Sequence, residues 1–206
     1  MDKSLQFKAL VVVKTEGGEF VCSIRERYSD DLPQGDLVVR VRYSSLNYKD
    51  ALSASGHPGV TRQFPHTPGI DASGEVISCE SGVFAPGDKV IVTGYDLGME
   101  TDGGWGEIIR IPSSWAVRLP QGLSEREAMT LGTAGFTAAL SVLKLTLAGV
   151  TPTDGDILVT GATGGVGSVA VAILSRTGYR VVAATGKSSD AQFLRSLGAA
   201  EIISRE

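Results

Sequence analysis

Apolar positions along this chain follow two rhythms, and the change falls near residue 120. Up to there they come in short bursts of strand length, divided by glycine and proline. Residues 7–13 (Phe7-Lys8-Ala9-Leu10-Val11-Val12-Val13) predict a strand, Glu16-Gly17-Gly18-Glu19 a turn, and residues 20–25 its returning partner. Residues 37–45 combine β-branched residues with partial alternation and predict a further strand. The prolines and glycine of Pro65-His66-Thr67-Pro68-Gly69 predict a turn before a strand near 73–78. Residues 85–92 read as a turn and strand, and 103–110 as a glycine-flanked strand. Many short strands with such punctuation predict a barrel-like all-β region.

Beyond residue 120 the period lengthens. Ser124-Glu125-Arg126-Glu127 is a capping box, Ser followed three residues later by Glu, and predicts a helix start. Residues 131–140 interrupt that helix and restart it, to about residue 147. Then strand (157–159), helix (169–174), strand (181–184), helix (190–197) and strand (202–203) alternate, which predicts an α/β unit with a parallel sheet. The predicted domains are therefore 1–120 and 121–206.

One stretch organises the second region. Ile157 to Val159 is an apolar strand covered on both faces, followed by the turn Ala162-x-Gly164-x-x-Gly167 and a small, apolar helix. Small residues let backbone approach a pyrophosphate, and a helix N-terminus offers unpaired N–H groups and a positive dipole end. Such a glycine spacing alone is a weak signal; a strand before it and a helix after it are the context the motif requires. Ala162, Thr163, Gly164, Gly165, Val166 and Gly167 are thus the predicted dinucleotide-binding residues.

Composition narrows the alternatives. With 206 residues, 42% hydrophobic and 20% charged, the chain matches ordinary globular domains, and a net charge of −4 without a basic tract points to neither nucleic acid nor an anionic membrane surface as a partner. No apolar run approaches the roughly 20 residues of a membrane helix, and residues 1–8 lack a signal-peptide core. Two cysteines, Cys22 and Cys79, do not make a disulfide framework, so a cytoplasmic location is expected.

Five segments then occur in one order: Ser45-Leu46-Asn47-Tyr48-Lys49-Asp50; Pro68-Gly69-Ile70-Asp71; Gly87-Asp88-x-Val90; residues 131–138, Leu131-Gly132-Thr133-Ala134-Gly135-Phe136-Thr137-Ala138; and residues 160–168, Thr160-Gly161-Ala162-Thr163-Gly164-Gly165-Val166-Gly167-Ser168. Together they resemble the medium-chain dehydrogenase/reductase superfamily, in its zinc-free quinone-oxidoreductase branch of the acryloyl-CoA reductase type. The resemblance implies a GroES-like β-barrel catalytic domain, the first half of a doubly wound Rossmann sheet, and NADPH-dependent reduction of an activated C=C or a quinone. It implies a small-molecule substrate, a homodimer for the full-length form, and Asn47 and Tyr48 beside the nicotinamide as catalytic residues, with Tyr48 also holding the cofactor. In that fold an acid after the second strand binds the ribose of NAD. Here Thr185, Gly186 and Lys187 stand there, with no acid before Asp190, which favours NADP(H). Arg205, after the third strand, is a further candidate for the adenosine end. Position 47 is Asn where zinc relatives have Cys, and Gly69-Ile70-Asp71 replaces Gly-His-Glu, so no metal is expected. Cys22 and Cys79 read as strand cysteines, His57 and His66 as loop residues, Lys49 and Asp50 as a structural pair, and Arg62 and Arg110 as possible contacts for CoA phosphates. Only three of six Rossmann strands are present, which leaves strand 157–161 as an exposed edge and raises the alternative of a non-catalytic nucleotide-binding or structural fragment.

Overall fold

The structure, a computed structural model, describes residues 4–186 and 188–205. The chain divides into two compact units, Met1–Thr133 and Ala134–Glu206.

The first unit opens with a hairpin of β1 (Gln6–Lys14) and β2 (Phe20–Tyr28), paired antiparallel in unbroken register from Gln6↔Tyr28 to Lys14↔Phe20. Five further strands form an antiparallel sheet: β3 (Leu37–Tyr43), β4 (Asp71–Cys79), β5 (Lys89–Thr93), β6 (Ile108–Ile111) and β7 (Ala116–Arg118), in the order β6-β3-β4-β5-β7. Single bridges, Ala9↔Gly106 and Val12↔His66, join the hairpin to the connections of this sheet. Alternate residues point inward, as the pleat demands: Leu37 and Val39 of β3, Val90 and Val92 of β5, and Ile109 and Ile111 of β6 form one core. Phe7, Ala9 and Val11 of β1 form a second with Leu32 and Ile108.

The strand expected over 103–110 is shorter and begins at Ile108. The residues before it pack backbone on backbone: a Cβ on Gly103 would lie 2.3 Å from the Gly69 carbonyl oxygen, and one on Gly104 2.3 Å from that of Asp71. These glycines serve close approach rather than a ladder.

A short helix α1 (Tyr48–Ala54) follows β3, and a long helix α2 (Glu125–Leu147) follows β7. The capping box at its start forms as expected: the Ser124 N–H and hydroxyl donate to Glu127 Oε2 at 2.9 and 2.6 Å, and the Glu127 N–H donates to Ser124 Oγ at 3.2 Å. α2 is long and apolar enough to cross a membrane by length and composition, which the apolar runs of the sequence do not reveal because charged residues open it. It is broken at Gly132 (φ 50°, ψ −156°), and Ala128, Met129, Ala138 and Val142 are buried. Ser73 Oγ donates to the Glu125 carbonyl at 2.9 Å and Thr133 reaches Asp71, so the first turns of α2 pack with the barrel unit although its helical pattern starts a new region.

The second unit is a three-stranded parallel sheet of β8 (Ile157–Val159), β9 (Val181–Thr185) and β10 (Glu201–Ser204), in the order β10-β9-β8. Helices α3 (Gly165–Arg176) and α4 (Ala191–Ser196) connect the strands. Val159, Val171, Leu174, Val181, Ala183 and Leu194 form its core. Among the described residues β8 pairs on one side only, and Leu158 is 57% exposed on it, so this strand is not covered on both faces as its apolar run predicts.

Candidate functional site

The glycine turn has the geometry its spacing predicts. Gly161 has φ +58°, where a side chain would be strained, and its carbonyl accepts the Gly164 N–H at 2.9 Å. The Ala162 N–H donates to the Ala184 carbonyl at 3.2 Å, which ties the turn to β9, and Ala162 is fully buried. Gly164 is the N-cap of α3; lacking a side chain, it leaves the first-turn N–H groups without a side-chain cap. Gly164, Gly165 and Val166 are exposed, whereas Gly167 is buried: a Cβ there would lie 2.3 Å from the Gly161 carbonyl oxygen. The third glycine therefore sets how closely α3 sits on the turn, and the exposed pair is left open to an anion. A cleft of about 580 Å³ flanks the same turn, bounded by Ala138 and Val142 of α2 and by β8.

The carboxyl ends of β9 and β10 lie side by side, with Thr185 opposite Ser204 in register. This brings Gly186 and Arg205 to the edge where the glycine turn also lies, both exposed, with Thr185 buried beneath. Lys187 lies outside the described residues. Asp190, the first acid after β9, closes a 3₁₀ turn over Ser188–Asp190 and accepts a hydrogen bond from Ser189 Oγ at 3.2 Å.

In the barrel unit, Asn47 is the N-cap of α1 and Tyr48 its first residue. The Asn47 backbone N–H donates to Asp50 Oδ2 at 2.7 Å, and the Ile70 N–H to Asp50 Oδ1 at 2.8 Å. Asp50 is fully buried; burial pushes its carboxyl up, against the pull of those two N–H groups. The expected Lys49–Asp50 pair does not form: neighbours on a helix point in different directions, and the aspartate turns inward.

The Asn47 side chain faces inward too. Its Nδ2 lies 2.9 Å from Ser45 Oγ, 3.0 Å from Asp71 Oδ2 and 3.4 Å from Asp50 Oδ2, so both amide protons have acceptors within the unit. Asp71 is the centre of this cluster. Besides Asn47, its Oδ2 accepts the Ser45 hydroxyl and, at 2.8 Å, the Thr133 N–H, while its Oδ1 accepts the Thr133 hydroxyl at 2.6 Å. Tyr48, by contrast, is 81% exposed and its hydroxyl makes no hydrogen bond among the described residues. Sequence reasoning singled out Asn47 and Tyr48 but missed Ser45 and Thr133 as partners; the latter is 62 residues from Asp71, and only its place in a quoted segment pointed to it.

His66 is in a loop as expected but is buried: its Nε2 lies 3.0 Å from the Gly98 carbonyl oxygen and its Nδ1 3.9 Å from Asp102 Oδ1. Burial pulls its imidazole below the usual value of 6.5. Asp102 also holds Arg27 at 2.8 Å and the Thr67 N–H at 2.9 Å. Cys22 is on β2 and Cys79 at the end of β4, both with free thiols. No group of three or more His, Cys, Asp or Glu side chains able to hold a metal occurs among the described residues. Arg62 is tied to Glu100 at 2.8 Å.

A GroES-like barrel bearing a polar helix cap, followed by a parallel sheet opened by a glycine turn, defines a class of fold: that of the medium-chain dehydrogenase/reductase superfamily, to whose members the chain is similar. The alcohol dehydrogenase GroES-like domain matches residues 33–121. The chain is similar to the putative quinone oxidoreductase YhfP of Bacillus subtilis, 51% identical over 178 residues, covering 86% of this chain and 54% of that protein. It is similar to the acrylyl-CoA reductase AcuI of Ruegeria pomeroyi, 46% identical over 201 residues, covering 97% of this chain and 61% of that one. The crystal structure of the YhdH oxidoreductase from Salmonella enterica in complex with NADP matches with a TM-score of 0.93 at 46% identity, over 98% of this chain and 61% of that one. B. subtilis YhfP with NAD bound matches with the same TM-score, identity and coverage. The chain thus spans 54% to 61% of the length of these relatives.

Proposed function

We propose that the chain carries the barrel and the adenosine half of the cofactor domain of an NADPH-dependent reductase. In this reading the reductase acts without zinc on an activated C=C, as in acrylyl-CoA or an enone, or on a quinone. The observation that supports it most is the uncapped glycine turn at the sheet edge, with no acid directly after β9. The turn fits a dinucleotide on its own geometry: Gly167 fills its space with backbone, whereas Gly164 and Gly165 leave exposed N–H groups at a helix N-terminus.

Thr163, Gly164, Gly165 and Val166 would hold the pyrophosphate. Thr185, Gly186, Lys187 and Arg205 would take the ribose end, where cations and hydroxyls favour a 2′-phosphate over a free hydroxyl. When bound, the cofactor would supply a hydride for the β-carbon of the acceptor, and Tyr48 or water would give the α-carbon its proton. Asn47 spends its amide protons on Ser45, Asp50 and Asp71, so its role is to fix the start of α1 rather than to polarise a carbonyl. Tyr48 has the exposed hydroxyl and is the donor of this reading. A homodimer of the full-length form and a cytoplasmic location complete it.

A fluorescence titration of the purified chain with NADPH beside NADH tests the cofactor site. Selective NADPH binding supports it; no binding of either by a chain folded by circular dichroism refutes it; preference for NADH, the coenzyme type bound in the YhfP structure, overturns the reading of residues 185–187. Turnover of acrylyl-CoA or a quinone then separates a reductase from the second reading, a nucleotide-binding fragment without catalysis.

A further inference from the structure

The break in α2 has a job in the barrel unit. In a regular helix, residue 133 would spend its N–H on the carbonyl four residues back. At Gly132 the backbone leaves the helical region, and both donors of Thr133 turn to one carboxylate, the N–H to Asp71 Oδ2 at 2.8 Å and the hydroxyl to Asp71 Oδ1 at 2.6 Å. The kink needs glycine twice over: φ is +50°, and a Cβ at position 132 would lie 2.7 Å from Asp71 Oδ2 and 3.0 Å from Ser45 Oγ. Asp71 is fully buried and passes the constraint on, since the same Oδ2 accepts the Ser45 hydroxyl and the Asn47 amide. Asn47 is the cap that starts α1, and Tyr48 is the next residue.

We infer that Thr133 is a positioning residue for the Asn47–Tyr48 end of α1, acting through Asp71. This rests on the reading of Tyr48 as the functional hydroxyl. A carboxylate that accepts two bonds from Thr133 on opposite oxygens cannot rotate, so Oδ2 is held facing Ser45 and Asn47. If the Thr133 hydroxyl is lost, one oxygen is freed, and the cluster is fixed from one side only.

Asn47 is the only asparagine in the chain, so its side-chain amide can be labelled alone with ¹⁵N-asparagine. Thr133→Val removes the hydroxyl and keeps shape and N–H. It should speed exchange of the Asn47 side-chain protons about tenfold, the factor that accompanies loss of one charge-assisted hydrogen bond. Thr133→Ser should restore the native rate. In the NADPH-dependent reduction of acrylyl-CoA, Thr133→Val should lower kcat and leave the KM for NADPH unchanged. An Asn47 signal that ignores Thr133→Val overturns the inference, as does a Thr133→Ser variant that behaves like Val. If the native chain shows no turnover, the reductase reading fails, while the amide exchange still decides the link from Thr133 to Asn47. Should Thr133→Val not fold, Thr133→Ala removes the same hydroxyl without the branched methyl and gives the same two outcomes.

Discussion

Gly167→Ala isolates what the third glycine of the fingerprint does. The added Cβ would lie 2.3 Å from the Gly161 carbonyl oxygen, 2.8 Å from Ala162 Cα and 2.9 Å from the Gly161 carbonyl carbon, all backbone atoms that cannot swing away. Normal contact between such atoms is about 3.5 Å, so α3 must withdraw from the turn by roughly 1 Å. Overpacking of this kind costs about 1–3 kcal/mol. Alanine returns up to about 1 kcal/mol through helix propensity, and less in a first turn. The net loss is then about 1–2 kcal/mol, a fall in Tm of roughly 2–8 °C for a chain of this size. The effect on binding should be larger in proportion, because the shift moves the N–H groups of Gly165 and Val166 from the anion they address; NADPH affinity should drop at least about tenfold. Gly165→Ala is the matched control. Its Cβ meets only the Ala134 side chain, at 3.3 Å, so stability should change by less than about 0.5 kcal/mol. Thermal unfolding by circular dichroism and NADPH fluorescence titration on both variants supply the numbers. A Gly167→Ala chain that is as stable as the native one and binds NADPH equally well would refute the argument that close backbone packing is why glycine stands there.

Three further outcomes are expected. Tyr48→Phe should slow reduction of the acceptor by about 100-fold or more if its hydroxyl delivers a proton; equal kcat for the two chains removes Tyr48 from the chemistry. Leu158→Lys, on the unpaired edge of β8, should raise the concentration at which the chain begins to aggregate, measured by light scattering, and an unchanged threshold would show that this edge is not the sticky one. His66 should destabilise the fold on acidification: its folded pKa is pulled below 6.5 by burial, so as pH falls through 6.5 the unfolded chain takes up a proton before the folded one does, and stability is lost down to the folded pKa. Tm followed from pH 7 downward should fall less steeply in His66→Gln, and parallel curves would show that another group carries the acid sensitivity.

What could be read from the sequence was what neighbours along the chain decide. The glycine turn, the capping box at Ser124 and the hairpin all follow from spacings under about twenty residues, where strand and helix periods act directly. Reading failed where a distant backbone sets the environment. The stretch 103–107 carries the glycines and apolar residues of a strand, yet those glycines exist so that it can lie on the backbone of Gly69 and Asp71. Asp50 stands beside Lys49 in sequence and turns instead to Asn47 and to the Ile70 N–H, twenty residues on. His66 has the local look of a loop residue and is buried because Val12 and Gly98 close over it.

The candidate site shows the same division. Asn47 and Tyr48 stand at the start of α1, but the chemistry of the asparagine comes from a third party. Asn47 is an amide with two donors wherever it stands; whether those donors are offered to a substrate depends on Asp71, 24 residues away, and on Thr133, 62 residues beyond that. With Ser45, Asp50 and Asp71 taking the donors, the asparagine becomes part of the mount and the exposed tyrosine the part that is mounted. Gly132 belongs to the same construction, since a helix that ran straight through it would keep the Thr133 N–H for its own ladder and take one donor away from Asp71 Oδ2. The interruption seen in the sequence at residues 131–140 is thus a feature of the barrel's polar cluster, written into the helix that follows the barrel.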